Sequence, residues 1–199
     1  MNTAREAWMP KPLPAALALP MQELLARILG EARERPVKQL MIVGASGRVG
    51  TSFIAMHWAQ QLASAFGTVL VVEIRNDVAD EQALDFAPSE APPGPVVCIR
   101  RSQRSVLEAV ARGEAPLAHA RQDAFGLVLW DVPPVTSTPV ALVLARSVDN
   151  IVLVAQAHRT RRQVAIHSAL RLKESGGRLL GVVLNRTLNF IPDWIYRLL

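Results

Sequence analysis

Tyrosine occurs once in this chain, at Tyr196, and cysteine once, at Cys98. A lone cysteine excludes an internal disulfide, and no metal-ligand spacing surrounds it. Its setting, the run PVVCIR, predicts a buried apolar thiol. Such a cysteine count is compatible with a reducing compartment. Aromatic residues make up only 5% of the chain. No basic helix is interleaved with stacking rings, which argues against nucleic acid as a partner even at a formal net charge of +5. The arginine-rich pieces ARERPVK, IRRSQR and HRTRRQ are spread along the chain and read as solvated surface. No stretch approaches the roughly 20 uninterrupted apolar residues of a membrane span. The opening run MNTAREAWMPKPLPAALALPMQ is broken by prolines, carries an early acid and lacks a clear small-residue cleavage site. It reads as a tail rather than a signal peptide, so the expected location is cytoplasmic.

What is present is a globular composition, half hydrophobic and 20% charged over 199 residues, enough for one domain with an ordinary core. Residues 1–20 read as a flexible tail. Residues 21–199 read as a single domain that opens with a helix over 21–36 and closes with a hydrophobic tail over 188–199. Leu24, Leu25, Ile28 and Leu29 make one helical face, and Pro36 ends that helix. Strands then alternate with helices. The strands are KQLMIVGA, TVLVVEI, VVCI, GLVLWDV, NIVLVAQA and LLGVVLN. The helices are Thr51 to about Ala65, SQRSVLEAVARG, a short piece in APLAHARQD, TPVALVLARS and TRRQVAIHSALRLKESGG. This alternation predicts an α/β fold: a doubly wound, mostly parallel sheet flanked by helices in three layers. The near-continuous apolar strands predict a sheet covered on both faces. The acidic, proline-rich segment near 76–95 is a loop that could border a site. His57, His119, His158 and His167 show no paired metal spacing.

In such a sheet the ligand sits beyond the carboxyl ends of the strands, where the first strand-to-helix turn aims backbone N–H groups at it. ASGRVGTS, Ala45 to Ser52, has the length of a phosphate-binding loop. Gly47 and Gly50 give the turn its freedom, and Ser52 stands where a hydroxyl ligates Mg²⁺. Thr51 takes the place of the loop's lysine, which meets the β- and γ-phosphates and helps neutralise charge during transfer. Arg48 is a second cation within the loop. The plain alternative is that the glycines only make a tight turn with close packing. Two strand ends bear on that choice: LVVEIRND ends on Glu73 and Arg75, and FGLVLWDVPPV carries Asp131 before Val-Pro-Pro. An acid at a strand tip beside such a loop is the usual partner of the metal.

The order LMIVGAS…GTS, GTVLVVEIR, FGLVLWDVPPV and VDNIVLVAQAHRTRRQVAIHSALRLKESGGRLLGVVLNR resembles the bacterial tyrosine-kinase family over residues 37–199. These are P-loop ATPase domains of exopolysaccharide and capsule synthesis, related to the deviant P-loop ATPases of chromosome partitioning and division-site placement. The resemblance implies a P-loop NTPase-like fold that binds ATP or ADP with Mg²⁺. Gly47, Arg48, Gly50, Thr51, Ser52 and Asn185 would form its nucleotide site. Ser52, Glu73 and Asp131 would be its metal-side residues, and Asp131 the residual catalytic acid. Asn185 would lie near the base, and Thr160 would open a helix as its N-cap.

The departures from the family pattern carry as much information. Thr51 replaces the catalytic lysine, Arg75 replaces the second acid of the strand-end pair, and the tyrosine-rich tail is missing. Exchanging an acid for a cation shifts the local charge by two units and opposes an Mg²⁺ site. The cofactor is therefore expected to be ATP or ADP with Mg²⁺, or none. The expected function is a degenerate, weak or inactive accessory of exopolysaccharide or capsule biosynthesis or export. It would sit at the inner face of the inner membrane with a polysaccharide co-polymerase (the chain-length regulator) or another export component. The alternative is an active ATPase or tyrosine kinase with a non-standard loop. A partitioning ATPase is disfavoured, because Ser46 stands where that group carries its signature lysine. Family members form rings, so self-association is a further expectation. The hydrophobic tail is expected to pack back on the domain, with a partner or membrane surface as the alternative.

Overall fold

Apolar runs of six or seven residues, most of them followed by a helix, can bury both faces only by lying side by side between helical layers. The computed structural model, which describes residues 15–76, 94–114 and 124–186, has this form. Helix α1 spans Ala15–Glu34 and strand β1 Gln39–Gly44; α2 (Thr51–Phe66) and β2 (Val69–Arg75) follow. Then come β3 (Val96–Ser102), α3 (Gln103–Ala111), β4 (Leu127–Val132) and α4 (Val140–Leu144). The last elements are β5 (Asn150–Gln156), α5 (Arg162–Glu174) and β6 (Leu179–Asn185). The strands form one six-stranded sheet in the order β3-β2-β4-β1-β5-β6. Every pairing is parallel.

Two apolar layers hold the helices on. On one face Met21, Leu24 and Ile28 of α1 and Ile54, Trp58 and Leu62 of α2 pack against Leu40, Ile42, Val71, Leu129 and Val152. On the other face Val106 of α3, Val140 and Leu144 of α4 and Leu172 of α5 pack against Met41, Val72, Trp130 and Leu153. Each strand therefore sends alternate residues to opposite layers. Trp130 also donates its indole N–H to Gln39 Oε1 at 3.0 Å, which satisfies the one polar atom that this large ring buries.

The fold agrees with the doubly wound, three-layer architecture expected from the sequence, with three corrections. Helix α1 begins at Ala15, inside the segment read as a tail, and Pro20 falls at its sixth position. A proline past the first turn has no N–H for the carbonyl four residues back, so a sequence reading places the helix start after it. The second correction concerns full coverage of the sheet. The central strands β1, β4 and β5 are buried almost throughout, whereas the edge strand β3 is largely half-buried or exposed. On β6, Val182 and Leu184 are about half exposed, as are Ile166 and Leu170 of α5. The short helix expected in APLAHARQD, the loop near 76–95 and the tail over 188–199 lie partly or wholly outside the described residues.

The third correction is Cys98. It is exposed on the edge strand rather than buried. Its Sγ lies 3.7 Å from Met56 Sδ, and that local desolvation, with Glu73 nearby, pushes the thiol up to about 11 against a weaker pull from Arg100. At pH 8 this leaves roughly a hundredfold less thiolate than an ordinary cysteine carries, partly offset by the higher nucleophilicity of a more basic thiolate. Cys98 is therefore expected to alkylate about tenfold more slowly in the folded protein than after unfolding. A timed iodoacetamide reaction read by mass spectrometry checks this, and equal rates would contradict it.

Candidate functional site

Strand β1 ends at Gly44, and the chain turns through residues 45–50 before α2 begins at Thr51. Five tethers fix this loop. The Gly44 carbonyl accepts from Val135 N at 3.1 Å, and Ala45 N donates to Val154 O at 2.8 Å. The buried Ser168 hydroxyl of α5 donates to Ala45 O at 3.3 Å. Ser46 Oγ meets Thr160 Oγ1 at 3.2 Å, and Asn185 Nδ2 donates to Val49 O at 2.7 Å. Arg48 and Gly50 have positive φ, 60° and 88°. Gly50 serves as the N-cap of α2 without a side-chain cap bond, and the first turn of that helix holds no acid. The leading N–H groups of α2 are thus left for an anion rather than for a side chain.

The loop opens on a pocket of about 270 Å³ lined by Arg48, Thr51, Ser52, Arg75, Asp131 and Pro133 among others. Strand register explains why the charged members meet. Glu73 pairs with Asp131 on one side and with Arg100 on the other, so three ionisable residues lie in a row across β3, β2 and β4. With a period of two, Val69, Val71, Glu73 and Arg75 share the face that α2 covers. Arg75 therefore points to where Ser52 begins that helix.

Arg75 is the hub of the cluster. Its Nη2 donates to Ser52 Oγ at 3.3 Å, is hydrogen-bonded to Glu73 Oε1 and lies 3.8 Å from Asp131 Oδ2. Glu73 is also held through its other oxygen by Arg100 Nε at 2.8 Å. Asp131 is only 3% exposed. Burial pushes its carboxyl up to about 6; the Ser52 hydrogen bond and then Arg75 pull it back, and Glu73 adds to the rise. Desolvation outweighs the pairing because Arg75 stands 3.8 Å away and is itself partly in solvent.

The residues expected at the site separate into two groups. Arg48, Gly50, Thr51, Ser52, Arg75 and Asp131 line the pocket. Glu73 stands behind them, bonded to Arg75. Gly47 is exposed in the loop. Asn185 is buried and both ends of its amide are engaged: Nδ2 with Val49 O, and Oδ1 with Arg186 N at 2.7 Å. It steadies the loop from behind. Thr160 differs from its expected role. The N-cap of α5 is Arg161, without a side-chain cap bond, while the Thr160 hydroxyl accepts from Gln156 N at 3.0 Å and reaches Ser46. Sequence reasoning passed over Ser168 and Arg100, because neither falls in a motif; the visible cue for Arg100 was an arginine on an edge strand.

A Mg²⁺ ion in such a loop needs oxygens that converge and are free to coordinate at about 2.0–2.1 Å. Here the Ser52, Glu73 and Asp131 oxygens converge on a guanidinium instead. These residues do not fit a divalent cation.

A parallel sheet with a glycine-bearing loop between its first strand, in the sheet's centre, and the following helix has the P-loop NTPase-like, three-layer fold. No protein-family model matches the chain. It is homologous to the tyrosine-protein kinase CpsD of Streptococcus agalactiae, with 30% identity over 70 residues that cover 35% of this chain and 31% of the relative. The chain thus matches about a third of the length of that curated relative. Its fold is that of the kinase domain of the Escherichia coli tyrosine kinase ETK, at a TM-score of 0.62 and 20% identity, covering 96% of this chain and 88% of the other. The MinD cell division protein of Aquifex aeolicus shares the fold at a TM-score of 0.52 and 11% identity, over 80% and 72% of the two chains.

Proposed function

We propose that this domain is a phosphate-binding scaffold of exopolysaccharide or capsule biosynthesis or export, a P-loop relative with little or no phosphoryl-transfer activity. It acts beside a membrane polysaccharide co-polymerase at the inner face of the inner membrane. The observation that carries this reading is the Arg75 cluster with Thr51 beside it. Phosphoryl transfer depends on charges aimed at the transferring group. In this pocket the lysine position holds a hydroxyl, and both acids are tied up, by arginine or by burial. The uncapped helix start remains suited to a nucleotide's phosphates. The homology to tyrosine-protein kinase CpsD supports the pathway. Among the described residues no helix is long and apolar enough to cross a membrane.

A second reading, an active ATPase or tyrosine kinase of the same pathway, is favoured by one feature: Arg48 lines the pocket and presents a second cation to it. Phosphate release and phosphotyrosine formation by the full chain with ATP and Mg²⁺ separate the two. The expected result is bound ATP with no turnover above buffer, together with co-purification of a co-polymerase from solubilised host membranes. Turnover that Ser52→Ala and Asp131→Asn each abolish would instead establish the enzyme. Thr51→Lys combined with Arg75→Asp is expected to raise ATP affinity in Mg²⁺ by about tenfold or more, since one charge-assisted contact contributes on the order of 1.5–3 kcal/mol.

A further inference from the structure

We infer that the Arg75 guanidinium takes the place of a divalent cation in this pocket, so that phosphate-bearing ligands bind without metal. The inference rests on the phosphate-binding reading above and adds the identity of the counter-charge. The three side chains that converge are those a P-loop site uses on its metal side: the Ser52 hydroxyl, Glu73 and Asp131. Arg75 donates to the first at 3.3 Å, is hydrogen-bonded to the second and lies 3.8 Å from the third.

Local charge leads to the same conclusion. Glu73 is neutralised twice over, by Arg75 through one oxygen and by Arg100 through the other at 2.8 Å. The two carboxylates and two guanidiniums cancel, so an arriving divalent cation meets no net negative charge and a fixed positive one within about 4 Å. For metal to enter, Arg75 would have to leave Glu73 and Ser52. A phosphate meets the opposite situation. Arg75 lines the pocket and reaches Ser52 in the first turn of α2, and a guanidinium's planar donors match phosphate oxygens. Pairing with Glu73 holds it in that position.

The test uses the full chain and two probes, Mn²⁺ alone and ADP. Mn²⁺ is titrated by electron paramagnetic resonance, and ADP by calorimetry in excess Mg²⁺ and again in EDTA. For the unaltered protein no Mn²⁺ binding is expected, and the ADP affinities should agree within about twofold, because no metal bridges ligand and protein. Arg75→Asp is expected to gain Mn²⁺ binding, at least about tenfold above the unaltered chain, because it removes a cation and adds an oxygen ligand. Arg75→Ala, which only empties the position, should gain less, and thermal melts of both variants confirm folding. Stoichiometric Mn²⁺ binding by the unaltered protein would overturn the inference. So would a tenfold tightening of ADP by Mg²⁺, or a folded Arg75→Asp protein that gains no Mn²⁺. Because the Mn²⁺ arm needs no nucleotide, it stands even if ADP fails to bind, an outcome that would count against the phosphate-binding reading instead.

Discussion

Replacing Asp131 with asparagine is expected to stabilise the folded protein at pH 7 by about 2 kcal/mol. The buried carboxyl is pushed up to about 6 in the native state, from 3.8. Folding therefore favours the protonated acid. Between pH 4 and 6 the native state binds more protons than the unfolded chain, so stability falls as pH rises through that window and the penalty is in full force above it. A rise of that size corresponds to roughly 3 kcal/mol at most, with the attraction to Arg75 already counted in it. Asparagine cannot ionise, and its oxygen can still accept from Ser52. The variant's midpoint in urea should accordingly exceed that of the unaltered chain at pH 7, and the gap should close by pH 4. A variant that is less stable at pH 7, or equally sensitive to pH, would contradict this account. A buried acid that costs stability is a common mark of a site kept for binding rather than for folding.

The second large effect is expected at Gly50. Its φ of 88° is a left-handed value that alanine adopts at a cost of about 1–2 kcal/mol. An added Cβ would also sit 2.4 Å from Asn185 Nδ2, the group that holds Val49 O at 2.7 Å. Asn185 is buried and its oxygen is committed to Arg186 N, so it cannot yield without giving up bonds on both sides. Losing the Asn185 tether adds about 1–2 kcal/mol. Gly50→Ala should thus lose about 3 kcal/mol in chemical denaturation. Because the same residue opens α2, ADP affinity should fall by more than about tenfold as the leading N–H groups move out of line. Unchanged affinity in a folded Gly50→Ala protein would mean that the loop is not the phosphate site.

The central strands and α2 were legible in the sequence because their apolar runs are long and both faces of those strands are covered. The edges were not. VVCI on β3 reads like an interior strand, yet Cys98 is exposed, since nothing in a four-residue apolar run reports whether a neighbour lies on both sides. The start of α1 was hidden by Pro20, because a proline past a helix's first turn reads as a break. At the site, the exchange of residues at 51 and 75 was visible as letters. The consequence of Arg75 was not, because it depends on the register that sets Glu73 beside Asp131 and on the placement of Ser52 at the head of α2. The side chains of Asn185 and Thr160 brace the loop from behind, through Val49 O and Ser46 Oγ. Such a role follows only from knowing which carbonyls lie in reach.

A crystal of the full chain grown with ADP and Mn²⁺, with data collected at the manganese edge, tests the central claim most directly. The account predicts phosphate against the start of α2, the Arg75 guanidinium still between Ser52 and Glu73, and no anomalous peak in the pocket. A manganese peak ligated by the Ser52 hydroxyl, with Arg75 swung out to solvent, would contradict it.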